Sequence, residues 1–364
     1  MKSSLRNAIT ATSMLLLLIQ NLYATEPAIS TQNSIAISGA GSTFIAPLLK
    51  QWIVEFQKLH PKVSIDYKIV GSGEGVNRFL AGTVDFAASD GGMSDAQIAS
   101  VNHGVHFIPA TIGGVVLTYN IEGVKTDLKL TRDDYIDIFL GKIQFWDDAR
   151  IKVTNPNLPL PHKNIVPVVR EDSSGTTYVF TNHLSKISEE WLHGSGVGTK
   201  VAWPSHVMKV RGNEGVAARV KITEGSIGYV EYGFATRLGL PMAVLQNQAG
   251  HFIAPEPANI AKVFEDTSNQ MPDDLRLFIP DPSGDNVYPI VSFSWLILYG
   301  NYTDNAKGAV LKDFVRFGLT QGQKESSRLG YVPLPENISA LAQKTMDKIQ
   351  AGRESTGEVD SRAR

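Results

Sequence analysis

Short apolar strands alternate with helical segments along most of this chain, and this alternation limits its fold more than any other feature of the sequence. The clearest helix covers residues 44–60, where apolar side chains recur at helical spacing around Pro47 and the pattern stops at Pro61. Repeated alternation of this kind predicts an α/β fold with layers around a mainly parallel sheet. Strands are predicted over 34–38, 63–70, 83–88, 105–108, 115–120, 166–170, 225–230 and 288–299, further helices over 76–81, 131–140, 176–187, 306–318 and 338–350, and a loop or hairpin over 246–257.

The first 24 residues predict an export signal that is cleaved. Lys2 and Arg6 precede an apolar run over residues 8–20, and the small Ala24 marks the expected cleavage point. The run is short and interrupted by Ser and Thr, so an uncleaved membrane anchor is the less favoured alternative. We therefore expect an exported, soluble chain.

Cysteine is absent from all 364 residues. Its absence excludes a disulfide scaffold, a thiolate metal site and a lipid anchor on an N-terminal cysteine. Stability must then come from a large core, and the 340 residues that remain when 24 are removed from 364 suffice for two domains.

The charge balance argues against one class of partner. Loss of Lys2 and Arg6 with the signal lowers the basic residues from 34 to 32 against 36 acidic ones, a net charge of −4. A chain of this balance lacks the basic surface that binds nucleic acid or an anionic membrane. A bound anion would need a buried site with its own local donors.

Four short segments supply groups that could surround a small oxyanion. Those at residues 39–44 and 170–177 follow predicted strands and open predicted helices, whose first backbone N–H groups bind anions. Arg170 adds a bidentate donor. The four segments are 39–44 (GAGSTF), 71–75 (GSGEG), 88–90 (ASD) and 170–177 (REDSSGTT).

Each segment also has an ordinary structural explanation. Segment 39–44 could be a tight strand–helix turn, and segment 170–177 a Ser/Thr helix cap with a surface Arg–Asp pair. Segment 39–44 lacks the third glycine of a dinucleotide fingerprint and the lysine of a phosphate loop, so nucleotide binding is poorly supported. A bound anion therefore depends on the segments acting together.

Asp90 is unusual in a set of donors. A carboxylate beside an anion is favourable only where it accepts a proton that the ligand carries, and sulfate carries none near neutral pH. An acceptor at a donor-rich site would therefore select phosphate over sulfate. The alternative is an ordinary turn aspartate in the sequence SDGG. Asp172 could accept a second proton or simply orient Arg170.

Taken in order along the chain, these segments and several further pieces resemble the periplasmic phosphate-binding proteins of phosphate ABC importers. The resemblance runs from about residue 35 to about residue 345 and keeps the order of the motifs in that family. The further pieces are 83–90 (TVDFAASD), 112–116 (IGGVV), 140–143 (LGKI), 146–148 (WDD) and 227–232 (IGYVEY).

The resemblance implies a two-lobed periplasmic binding protein fold with a hinge, and phosphate held between the lobes. It places residues 25–112 and 287–350 in lobe I and residues 113–286 in lobe II, with crossovers near 110–113 and 286–288. It also implies a monomeric periplasmic carrier, not an enzyme, which uses no cofactor or metal and hands phosphate to an inner-membrane ABC permease. The charged residues 351–364 match nothing in the family and are expected to be disordered.

The resemblance also assigns roles to the site residues. Backbone donors would come from Ser42, Thr43 and Phe44 and from Ser174, Gly175 and Thr176. Hydroxyl donors would come from Thr43 and Ser72, charge from Arg170, and proton acceptance from Asp90, with Asp172 bracing Arg170 or meeting a second proton. The sequence departs from the family at Ile45, which replaces a proline, and at Glu74, an added carboxylate expected to weaken affinity or shift its pH dependence.

Two other functions stay open at this point. A phosphate-handling hydrolase would use Ser72 or Ser174 as nucleophile and Asp90 as base, but neither serine lies in a Gly-x-Ser-x-Gly elbow and neither forms a motif with His162 or His183. A surface adhesin or phosphate-responsive receptor could be built on the same fold. A metal site is not expected, because the nearby pair His103 and His106 has no clustered carboxylates.

Overall fold

The computed structural model of the protein describes residues 34–265 and 270–351. The predicted signal, residues 1–24, and residues 352–364 of the predicted tail lie outside the described residues. The described strands are β1 (Ile35–Gly41), β2 (Val63–Ile69), β3 (Phe86–Ser89), β4 (Val105–Asn120), β5 (Lys129–Leu130), β6 (Val166–Arg170), β7 (Met208–Val210), β8 (Ser226–Glu231), β9 (Val244–Gln246), β10 (Phe252–Ile253), β11 (Val291–Tyr299), β12 (Asn301–Tyr302) and β13 (Gln350–Ala351).

Helices occupy most of the segments between the strands. The α-helices within the described ranges are α1 (Ala46–Leu59), α2 (Ser72–Leu80), α3 (Asp95–Ala99), α4 (Arg132–Leu140), α5 (Ala149–Thr154), α6 (Gly175–Ile187), α7 (Glu189–His193), α8 (Gly212–Ile222), α9 (Tyr232–Leu238), α10 (Pro257–Ala261), α11 (Asn305–Leu319), α12 (Ser326–Leu329) and α13 (Glu336–Lys348). The predicted α/β class is confirmed.

One mixed sheet of eight strands carries the fold, in the order β2-β1-β3-β11-β4-β8-β6-β7. Strands β1, β2 and β3 run parallel at one side, and β6, β7 and β8 run parallel at the other. Between them, β11 is antiparallel to both β3 and β4, and β4 is antiparallel to β8. The prediction of a mainly parallel sheet is therefore correct for the two sides of the sheet, whereas its centre is antiparallel.

Strand β4 joins the two sides of the sheet. It pairs with β11 over Val105–Gly114 and with β8 over Val115–Asn120, so it changes partner between Gly114 and Val115. The sequence predicts separate strands over 105–108 and 115–120, and that division is wrong, because one strand runs through Pro109 and the pair Gly113-Gly114. The glycines make room for packing: a Cβ at Gly113 would lie 2.6 Å from the Phe44 ring. The lobe boundaries themselves remain a prediction.

Among the helices that begin away from their predicted residues, α1 and α2 concern the site. Helix α1 begins at Ala46 rather than at Phe44, which leaves Ser42, Thr43 and Phe44 in a bend after β1. Helix α2 begins at Ser72, four residues before the predicted start, because its glycines are tolerated in a first turn preceded by Gly71 at φ +92. The predicted loop or hairpin is an antiparallel hairpin of β9 and β10.

The core is continuous across the sheet, and it contains four tryptophans, Trp52, Trp146, Trp191 and Trp295, each at most 1% exposed. Over the described residues, no helix combines the length and the apolar composition needed to cross a bilayer.

Candidate functional site

The four segments predicted from the sequence lie together at the carboxyl ends of the strands. Ser42 follows β1, Asp90 follows β3 and Arg170 ends β6. The start of α6 approaches the others closely, because a Cβ placed on Gly175 would lie 2.3 Å from Ser72 Oγ and 2.5 Å from Asp90 Oδ2. Segments far apart in sequence therefore form one buried polar site.

The two sides of the site also contact each other through the backbone. The Gly73 N–H donates to the Ser173 carbonyl at 3.0 Å, which joins the start of α2 to the loop before α6. Thr43, after β1, accepts hydrogen bonds from Asn213 at the start of α8. The site is thus closed between β1–β3 on one side and β6–β8 on the other.

Asp90 lies at the centre of this closed site and is 1% exposed. The single proton of the Ser42 hydroxyl is shared between both carboxylate oxygens, at 2.7 and 2.8 Å, and the Ser294 hydroxyl donates to Oδ1 at 2.7 Å. The Ser72 hydroxyl lies 3.3 Å from Oδ2. A carboxylate offers about four acceptor positions. Asp90 therefore keeps room for one further donor, such as a protonated ligand oxygen.

Burial raises the pKa of Asp90 from its ordinary value of 3.8 to about 6. The hydroxyls of Ser294 and Ser42, the charge of Arg170 and the hydroxyl of Ser72 act in the opposite direction. They stabilise the ionised form against the cost of burial. Asp90 is consequently an acceptor above about pH 6 and an uncharged acid below it.

Arg170 and Asp172 form a buried bidentate pair. Arg170 Nε donates to Asp172 Oδ1 at 2.7 Å and Nη2 donates to Oδ2 at 2.5 Å, with the arginine side chain 1% exposed. Burial acts to raise the pKa of Asp172, but the hydrogen bonds and charge of Arg170 and the Gly212 N–H bring it below its ordinary value. Asp172 is therefore ionised and orients Arg170. Of the five guanidinium N–H groups, two bind Asp172 and one on Nη1 lies within 3.5 Å of Thr176 Oγ1, so two remain for a ligand.

The loop after β1 contributes differently from what the sequence predicts. The Ser42 N–H donates to the Ala88 carbonyl at 2.8 Å, and the Phe44 N–H donates to Ser42 Oγ at 3.0 Å. The Ser42 hydroxyl therefore donates to Asp90, and the backbone N–H of Ser42 is already hydrogen-bonded within the chain. Thr43 keeps its N–H and its hydroxyl proton without an acceptor among the described residues.

The start of α6 is a capped helix N-terminus with unpaired backbone donors in its first turn. Ser174 is its N-cap, with its hydroxyl accepting from the Thr177 N–H at 3.0 Å, and its own N–H donates to the Thr199 carbonyl. The N–H groups of Gly175 and Thr176 have no acceptor within the described part of the chain. These first-turn donors carry the positive end of the helix dipole toward Asp90 and Arg170.

Three buried residues of the site were missed by sequence reasoning. Ser294 donates to Asp90, Asn213 donates to Thr43, and the Tyr229 hydroxyl accepts from the Arg170 N–H at 3.1 Å. Ser294 could have been noticed as a polar interruption in a long apolar strand. Tyr229 lies in the piece 227–232 that resembles the family, but no local pattern relates Asn213 or Tyr229 to its partner, because the partners are distant in sequence.

Glu74 is paired rather than directed at the anion. Arg78 Nε donates to Glu74 Oε1 at 2.8 Å, and both side chains are more than a third exposed. They line a cleft of about 690 Å³ that reaches Thr43 and Asp172 at the edge of the site. The expected effect of Glu74 on phosphate affinity is therefore screened by solvent and offset by the charge of Arg78.

The histidines considered for a hydrolase lie elsewhere. The His183 ring is buried between the Tyr135 hydroxyl at 2.8 Å and the Pro280 carbonyl at 2.6 Å, and burial lowers its pKa to about 4. His162 is exposed and pairs with Asp147. No histidine in the described ranges hydrogen-bonds Ser72 or Ser174.

Known proteins are similar to this chain in sequence and in fold. Residues 25–321 match the PBP superfamily domain. The chain is 38% identical over 315 residues to the phosphate-binding protein PstS of Xylella fastidiosa (strain 9a5c), covering 86% of this chain and 85% of that protein. It is 38% identical over 342 residues to PstS of Methanocaldococcus jannaschii, covering 87% of each. A solved structure of similar fold is PfluDING, a high affinity periplasmic phosphate-binding protein bound with phosphate, with TM-score 0.69, 21% identity, and coverage of 85% of this chain and 93% of that one.

Proposed function

We propose a function from the family to which this chain belongs, the PstS family of phosphate-binding proteins within the PBP superfamily. The chain captures inorganic phosphate and delivers it to an ABC importer. Export to the periplasm, cleavage near Ala24, a monomeric state and transient docking on an inner-membrane permease are parts of the same proposal. The transport role is inferred from the family, and the binding of a small oxyanion is inferred from the buried site.

The observation that carries the proposal is the environment of Asp90. The site combines the guanidinium of Arg170, the first N–H groups of α6 and several hydroxyls, all of which favour a small oxyanion. Within that set Asp90 is a buried acceptor with unused capacity. Phosphate meets both demands, because it accepts at its unprotonated oxygens and donates from its protonated one. Sulfate meets only the first.

Asp90→Asn is expected to lower phosphate affinity about 10-fold to 100-fold while raising the sulfate-to-phosphate affinity ratio at least about 10-fold. The amide removes the acceptor for the ligand's proton and offers a donor that a fully ionised anion can use. Isothermal titration of purified wild type and variant with each anion at pH 7.5 measures both quantities. An unchanged ratio would contradict the proton-acceptor role of Asp90, and a wild type that binds neither anion would contradict the proposed function.

The stability of the ligand-free variant supplies a control on folding. Because the pKa of Asp90 is higher in the folded state, ionised Asp90 destabilises the fold as pH rises from about 4 through 6, and the cost is absent below that range. Asp90→Asn should therefore raise the free energy of unfolding at pH 7 by up to about 3 kcal/mol, with the gain vanishing near pH 4. Chemical denaturation at the two pH values checks this.

The hydrolase alternative is tested on the same preparation. Ser72 donates to Asp90 at 3.3 Å, which is the contact that a nucleophile and its base would make, whereas the Ser174 hydroxyl accepts from the Thr177 N–H as the cap of α6. Within the described ranges no histidine assists either serine, so turnover is not expected. A chromogenic phosphate ester should show no turnover above a blank while phosphate binds. Turnover that Ser72→Ala or Ser174→Ala abolishes would favour the enzyme.

A further inference from the structure

Asn213 is a buried polar residue that contacts both sides of the site. Its Nδ2 donates to Thr43 Oγ1 at 2.8 Å and to Thr176 Oγ1 at 3.1 Å, and the residue is 0% exposed. Its Oδ1 accepts from the Glu231 N–H at 3.0 Å, which fixes the amide orientation. A flipped amide would place two donors face to face, so the amide nitrogen necessarily faces the threonines.

These contacts determine where the two threonine protons point. Thr43 Oγ1 also accepts from the Asn213 N–H at 3.3 Å, and Thr176 Oγ1 lies 3.5 Å from Arg170 Nη1. Both hydroxyls thus receive hydrogen bonds, and within the described part of the chain neither proton has an acceptor. Each hydroxyl has one proton to donate. A buried unpaired donor is costly, so two of them side by side indicate that a ligand accepts from both.

We propose that Asn213 is a positioning residue that holds the hydroxyls of Thr43 and Thr176 as donors to the unprotonated oxygens of phosphate. The inference rests on the proposed function. It adds that the end of the site formed by the Thr43 and Thr176 hydroxyls contains donors only. The proton of the ligand is therefore directed to Asp90 at the other end. The phosphate species with one proton then fits better than the species with two, whose second proton would face a donor.

Charged groups approach Asn213 from each element packed around it. The pKa values of Asp90 and Glu231 lie within the pH range of the experiment in the wild type as well, so the informative quantity is the ratio of variant to wild-type affinity at each pH. Burial raises the pKa of Glu231 to about 8, for example. The surrounding groups are Asp90 after β3, Arg170 and Asp172 before α6, Arg211 and Glu214 at the start of α8, Glu231 at the end of β8, and Arg237 on α9.

Two substitutions of Asn213 distinguish a role in orienting the threonine hydroxyls from a purely structural role. Asn213→Asp keeps the shape but replaces the donor by an acceptor, so both hydroxyls turn their protons away from the anion. Asn213→Ala removes the donor and leaves the hydroxyls free to rotate. We expect losses of phosphate affinity at pH 8 of at least about 100-fold for Asn213→Asp and about 10-fold for Asn213→Ala.

The pH dependence is the readout that a structural role would not change. Between pH 8 and pH 5 the Asn213→Asp deficit relative to wild type should shrink, because the new carboxyl protonates and phosphate gains a second proton. The Asn213→Ala deficit should shrink much less, because this variant gains no carboxyl that changes its charge over the range. Isothermal titration of wild type and both variants at pH 5, 6.5 and 8 measures this, with thermal unfolding of the ligand-free proteins as a folding control.

The outcomes distinguish the inference from the function on which it rests. Wild-type binding with deficits that are equal in the two variants and constant with pH would overturn the role of Asn213 alone. A wild type that binds no phosphate would overturn the proposed function and this inference with it. If Asn213→Asp does not fold, a double-mutant cycle of Asn213→Ala with Thr43→Val replaces it, where additive losses overturn the inference and non-additive losses support it.

Discussion

Arg170→Ala is expected to lower phosphate affinity roughly 1000-fold, more than Asp90→Asn does. The substitution removes the guanidinium from a site where it is 1% exposed, and it leaves Asp172 as an unpaired carboxylate beside the anion. Truncating one partner of a buried hydrogen-bonded charge pair costs about 2–5 kcal/mol, and the repulsion of Asp172 places this variant near the upper end. Isothermal titration at pH 7.5 measures the change.

The same substitution should destabilise the ligand-free protein by about 3–5 kcal/mol, because a buried charge loses its partner. Arg170→Ala combined with Asp172→Ala should recover most of that stability but little of the affinity.

Arg211→Ala is the matched control, since that side chain is 81% exposed and its ion pair with Glu171 is long at 3.8 Å. Its effect on unfolding should stay within about 1 kcal/mol. Equal phosphate affinity in Arg170→Ala and wild type would remove Arg170 from the site.

The sequence predicts those parts of the fold and site that depend on local patterns. Apolar spacing and capping residues locate α4 and α6, where Thr131 and Ser174 accept from backbone N–H groups as N-caps. The strand-to-helix turns at Ser42 and Arg170 are also local, and the topology gathers them because carboxyl ends of parallel strands share one edge of the sheet. Segments that are weak alone become informative because they share that edge.

The remaining features depend on contacts between distant parts of the chain. Ser294 and Asp90 are 204 residues apart, and Asn213 and Thr43 are 170 apart, so no local spacing relates them. The insertion of β11 between β3 and β4 makes the centre of the sheet antiparallel, and it brings Ser294 to Asp90. Continuous pairing with β11 and β8 likewise holds Gly113 and Gly114 in one strand. Tertiary packing decides these features.

Gly175→Ala is expected to reduce phosphate binding at least about 100-fold without unfolding the protein. A methyl group there would lie 2.3 Å from Ser72 Oγ and 2.5 Å from Asp90 Oδ2, distances that real Cβ atoms essentially never show. Because Ser72 and Asp90 belong to the opposite side of the site, the added methyl opposes closure rather than folding. Alanine also suits the first turn of α6, so the open protein should keep its stability within about 1 kcal/mol.

Small-angle scattering tests that distinction together with titration. Wild type should become more compact when phosphate saturates it, because ligand that contacts both sides favours the closed form, whereas Gly175→Ala should not. Gly215→Ala on α8 is the matched control, since its Cβ would meet Val210 at an ordinary 3.6 Å. It should bind and compact like wild type. Tight binding with normal compaction in Gly175→Ala would show that closure brings α6 less near to Asp90 than the structure indicates, and the donor cradle would then have to be placed elsewhere.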